Sequence, residues 1–275
     1  PTFARRTYEL LDPICLVTYS AEEPAEEPAA LGGTGLTGTV TPSRGPSRWA
    51  VPAAAVAVAA AIYSFADGEV ARHIPSAWEA VAPAASFEAW RRGSVTALRQ
   101  ILGELADSPG AARAADLVAR AAVSAPSRGG SSTRGGAPCA LPVSGEPLAR
   151  LWHCVTVLRD TAGTAVAALV VEGTGGTEAH VLATVDMGIH PPESFGRIHH
   201  LPRSALASVM AGLRERGLID GDGRFTALGR TVERRIEERT DLLLLLRRMW
   251  SGEEREEVVR ALEPVAARLV AVGSR

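Results

Sequence analysis

Apolar positions recur at helical spacing along most of the chain. Leu206, Val209, Met210 and Leu213 stand at i, i+3, i+4 and i+7, the pattern of one buried helix face. Val258, Leu262, Val265 and Leu269 repeat it near the C-terminus, and Trp90, Val95, Leu98 and Leu102 do so earlier. The spacing predicts helices over 4–19 (interrupted by Pro13), 52–65, 69–78 (broken near Pro75), 87–105 (capped by Ser86) and 111–123. Further helices are expected over 147–159, 164–172, 177–187, 230–250 and 253–272. Residues 49–66 are apolar but dominated by Ala, which contributes little to membrane insertion, so a buried helix is expected there.

Residues 191–241 depart from plain helix pairing and read as a winged helix-turn-helix. Residues 193–199 suit a small first helix, His199-His200-Leu201-Pro202 the turn, and Pro202 the first position of the next helix. That helix stops at Gly217, which takes a left-handed C-cap without strain. Leu218 and Ile219 begin a strand, Asp220-Gly221-Asp222-Gly223 turns, and Arg224-Phe225-Thr226 returns. Thr226 can then cap a helix carrying Leu228, Val232 and Ile236 on one face.

Residues 124–145, rich in Ser, Gly, Pro and Arg, have almost nothing to bury and read as a flexible linker. The expected organisation is an N-terminal helical lobe over 1–123, that linker, and a winged-helix-like lobe over 146–275. The expected fold class is mainly α: two helical winged-helix-like lobes, the second with a short β-wing. The second half repeats the element order of the first.

Composition narrows the chemistry. The 275 residues are 46% hydrophobic and 22% charged, with a formal net charge of −2, so no global field draws the chain to nucleic acid or an anionic membrane. Every basic side chain except histidine is Arg. Without lysine there is no Schiff-base amine, no phosphate-loop lysine and no lysine general base. Cys15, Cys139 and Cys154 lack metal-ligand spacing, and the N-terminal segment lacks the apolar core of a signal peptide; a reduced cytoplasmic protein is expected. The six histidines form no compact ligand set, so neither metal nor cofactor is expected.

Two glycine-rich segments resemble phosphate loops. Residues 33–38 satisfy G-x-G-x-x-G, but they follow an acidic loop and are followed by Pro42 and Pro46, so they read as a loop. Residues 173–177 lead directly into a helix whose free amides could hold an anion, although a plain turn is the simpler reading.

The run LRERGLIDGDGRFTALGRTVERRIEERTD resembles the multiple-antibiotic-resistance-type winged-helix proteins. It resembles more closely an actinobacterial family of duplicated winged-helix-like proteins of largely undefined role. LDPICLVTY (11–19), IYSFADGEVARHIPSAW (62–78) and LWHCVTVLRD (151–160) match that family too. Its members carry a His-Arg-Gly-Asp-Gly-His stretch after the Leu-Trp block, where this chain has Asp160-Thr161-Ala162-Gly163-Thr164, and a histidine where it has Cys15. The resemblance therefore implies a shared fold and a diverged function.

Two functions compete. DNA reading requires basic side chains on the recognition helix and wing. The chain offers Arg203, beside Ser204, with Arg214 and Arg216 on the helix and Arg224 at the wing, while Asp220 and Asp222 would repel phosphate. A homodimer would multiply the arginines. The favoured expectation is instead a cofactor-free enzyme, or ligand-binding protein, of actinobacterial specialised metabolism. It would act by positioning and proton transfer on an anionic or carrier-bound small molecule. Ring closure with loss of sulfate or phosphate, as in aziridine formation, is one example. The candidate catalytic groups are Asp67, Glu69, His73 and Asp160; Tyr63, Trp78, His153 and Arg159 would bind substrate. The alternative is a winged-helix transcriptional regulator contacting DNA through Arg203, Ser204 and Arg224.

Overall fold

A computed structural model describes residues 2–21, 83–124, 142–161, 165–189, 191, 203–243 and 249–273. The elements are α1 (Phe3–Ser20), α2 (Pro83–Leu102), a 3-10 turn (Gly103–Asp107), α3 (Pro109–Ser124) and α4 (Pro147–Thr161). They continue with α5 (Ala165–Val171), α6 (Gly176–Asp186), α7 (Arg203–Glu215), α8 (Ala227–Leu243) and α9 (Gly252–Gly273). The chain is mainly α, as the periodicity predicts. The helices predicted over 52–65, 69–78 and 193–199, the 33–38 loop and most of the linker lie outside the described residues.

Two compact units divide these elements: α1 to α4 with α9 in one, α5 to α8 in the other. This differs from a division at residues 124–145. Helices α4 and α9 belong by sequence to the expected second lobe, yet both pack with α1, α2 and α3.

The first unit is organised around α4. Residues 151–158 of that helix are buried without exception, so α4 has neighbours on every side. They are α1, α2 and α3, with α9 closing against α1, α2 and α3. Phe87, Leu98, Leu117, Leu148, Leu151 and Trp152 form the largest fully buried part of this core, together with Ile14. Several of its polar groups are paired within it. The Trp152 Nε1–H donates to Thr18 Oγ1 (2.9 Å), whose hydroxyl meets Ser94 Oγ at 2.9 Å, joining α4, α1 and α2. The Trp250 indole N–H donates to the Leu117 carbonyl at 3.1 Å.

Two boundaries differ from expectation. Pro13 lies inside α1 without ending it. Loss of one backbone donor is outweighed because Leu11, Ile14, Cys15 and Val17 on either side are all buried. Helix α2 starts at Pro83, so Ser86 sits in its first turn instead of capping it, and the helix tightens to 3-10 after Leu102.

In the second unit Val181, Leu182 and Val185 of α6 meet Met210 and Leu213 of α7 and the following Leu218 and Ile219. Leu206, Val209, Phe225 and Val232 pack against this cluster. Leu228 does not share the inward face predicted for it: it is 51% exposed. The predicted wing strands reduce to one antiparallel bridge, Ile219 with Phe225, so no β-ladder forms among the described residues. None of the described helices is long and apolar enough to cross a membrane.

Candidate nucleic-acid interface

The best-defined surface of the second unit is α7 with the turn that follows it. The helix ends in a Schellman arrangement: Leu218 N–H donates to the Leu213 carbonyl (2.9 Å) and Gly217 N–H to the Arg214 carbonyl (2.8 Å). Gly217 has φ +66°, which a side chain would strain. The chain then folds back tightly. Asp220 Oδ1 accepts the N–H groups of Asp222 and Arg224, both at 2.9 Å, and Asp220 N–H donates to the Arg224 carbonyl at 2.8 Å. Thr226 fastens the far side: its hydroxyl donates to the Gly217 carbonyl and accepts the Gly229 N–H at 3.0 Å, so it caps α8 as predicted.

This scaffold holds the apolar face of α7 inward and presents the other face outward. Arg203, Ser204, Ala207, Ser208 and Ala211 are exposed. Arg203 and Ser204 occupy the first turn, the end that approaches base edges in helix-turn-helix docking. Arg203 makes no ion pair among the described residues.

Arg214, Arg216, Arg224 and Arg239 are engaged. Arg216 directs one guanidinium nitrogen at both carboxylate oxygens of Glu178, each at 3.0 Å. Arg214 donates to the carbonyls of Asp220 (3.3 Å) and Gly221 (3.4 Å), strapping the turn to α7. Arg224 faces Asp222 at 3.5 Å, and Arg239 of α8 pairs with Glu172 at 2.7 Å. Of the two aspartates expected to repel phosphate, Asp220 has its carboxylate turned onto backbone N–H groups; Asp222 is exposed, with Arg224 beside it.

Charge counted along the sequence does not single out Glu178. Its Oε2 also accepts the Gly175 N–H at 2.7 Å. The anion site considered at residues 173–177 is thus met by the chain's own carboxylate. Glu three residues after the N-cap is the spacing that signals this.

The candidate small-molecule site is less visible. Tyr63, Asp67, Glu69, His73 and Trp78 lie outside the described residues, as do His199 and His200. Arg159 and Asp160 are consecutive in the last turns of α4, in the first unit. His153, on the same helix, is 1% exposed and sets its ring edge-on to Phe87 with centroids 5.0 Å apart. It thus lies in the core of the first unit.

Comparison with known proteins adds one finding. No curated protein and no solved structure matches the chain. A family model described as a helix-turn-helix family matches residues 4–274, nearly the whole length, and the chain belongs to that helix-turn-helix family.

Proposed function

We propose that the chain is a helix-turn-helix DNA-binding regulator in which α7 is the recognition helix and Arg203 and Ser204 meet the duplex. The observation that carries this reading is Arg203, exposed and in no ion pair among the described residues, in the first turn of a helix anchored along its opposite face. Family membership supports it. An arginine there can pair with a guanine edge or a phosphate. Arg203→Ala should weaken binding to the chain's own upstream duplex by about tenfold, the size of one good contact. Fluorescence anisotropy over a salt series tests it: no salt-dependent binding by the parent protein would end this reading.

A second reading is favoured by the engagement of Arg214, Arg216 and Arg224 within the chain and by the net charge of −2. In it the same fold serves a cofactor-free enzyme, or ligand-binding protein, of specialised metabolism. Asp67, Glu69, His73 or Asp160 would take a proton, and Arg159 would hold an anionic group beside Tyr63 and Trp78. Calorimetry against candidate intermediates, followed by Asp67→Asn, tests it. A catalytic base should cost about a hundredfold in turnover when removed, with the fold intact.

A further inference from the structure

The arginines around α7 are not merely scarce; two of them are matched to carboxylates of the same unit. Arg216 follows the last turn of α7, and its guanidinium spans Glu178 at two equal distances of 3.0 Å. Glu178 is itself fixed by the Gly175 N–H, so this counter-ion is preorganised. Arg224 stands in the turn beyond α7 with the Asp222 carboxylate beside it, and that carboxylate takes no part in closing the turn, in which the Asp220 side chain accepts the Asp222 and Arg224 N–H groups. Structural need accounts for Asp220 and for one oxygen of Glu178. It does not account for the negative charge on either Glu178 or Asp222, since a neutral amide would make the same cap or leave the same turn.

We propose that Glu178 and Asp222 are internal counter-ions that hold Arg216 and Arg224 away from the phosphate backbone. Together they form an autoinhibitory pair that suppresses non-specific duplex binding and leaves recognition to the first turn of α7. The proposal rests on the DNA-binding reading above. Its physical basis is competition: an arginine already neutralised by a carboxylate releases no counter-ion from DNA when it approaches, so it adds nothing to affinity until the carboxylate is removed.

The test uses the full chain and a short labelled duplex of random sequence, followed by anisotropy from low to physiological salt. Glu178→Gln retains an amide oxygen for the Gly175 N–H, and Asp222→Asn leaves the Asp220 turn intact. Each should tighten binding about three- to tenfold at low salt and steepen the log–log salt dependence by about 0.9, one phosphate contact. Arg216→Ala and Arg224→Ala should change little in the parent protein but abolish the gain of the matching variant. A gain that persists in Glu178→Gln/Arg216→Ala would be a general charge effect and would overturn the proposal, as would the absence of any gain. Arg203→Ala separates the two ideas. If it weakens binding while the amide variants do nothing, the masking fails and the DNA reading stands. If it has no effect while the amide variants gain through their arginines, the masking stands and the docking of α7 fails.

Discussion

Gly229 and Thr226 show how much of the second unit depends on single atoms. A Cβ at Gly229 would lie 1.9 Å from the Leu218 carbonyl oxygen and 2.8 Å from Phe225 Cδ1. Backbone cannot yield by that amount, so Gly229→Ala should destabilise the unit by about 2–3 kcal/mol or more, in the range of overpacked cores. Thermal unfolding followed by circular dichroism measures it, and a loss near zero would contradict the close approach. Thr226→Ala removes both the α8 cap and the tie to the Gly217 carbonyl. A loss of about 1–2 kcal/mol is expected, and Thr226→Ser should restore most of it. In the first unit Thr18→Val would strip Trp152 Nε1 and Ser94 Oγ of the hydroxyl between them. Leaving buried donors without it should cost about 1–3 kcal/mol in chemical denaturation.

At the scale of elements, α3 and α9 are joined across their exposed sides by Arg113 to Glu257 (2.6 Å) and by Arg120 to Glu254. The Arg113 hydrogen bond holds the Glu257 carboxyl below its ordinary range. The Ser251 backbone N–H does the same for Glu254, with Arg120 adding to it. A carboxyl whose pKa is lower folded than unfolded stabilises the fold at neutral pH. That contribution is lost as pH falls through the ordinary glutamate range, about 4.3, toward the lower folded value. Stability against urea should therefore decline below about pH 5, and Glu257→Gln should flatten part of that decline. An unchanged pH profile in Glu257→Gln would show that the pair contributes nothing. Helix α1 makes the complementary point: Pro13 alone argues for a break, yet burial of both flanks keeps it continuous.

For the molecule as a whole, the pairing of elements matters more than their order. The described helices of the first unit come from both ends of the chain, whereas the described helices of the second form one run from α5 to α8. The second unit has the smaller described core, and Leu213 is its fully buried centre on α7. Leu213→Ala should cost about 2–5 kcal/mol there. By hydrogen exchange the loss of protection should fall on α6, α7 and α8, and equal loss in α4 would refute this placement. Such a variant should also lose the duplex binding proposed for α7, since the anchored face of that helix positions Arg203.

Local pattern was sufficient for the mainly helical character, the inward faces of α7 and α9, the Gly217 stop and the Thr226 cap, because each depends on residues within a turn or two of one another. The Arg203–Ser204 surface was legible for the same reason, once the buried face of α7 was read from its period. Spacing could not show which helices share a core, because α4 and α9 are drawn to α1, α2 and α3 by apolar surface distant in sequence. Nor could it show that Arg216 is matched to Glu178, 38 positions away, or that His153 turns inward onto Phe87. Charge can be counted along a chain, but whether an arginine is available to a partner depends on which carboxylate the fold brings beside it.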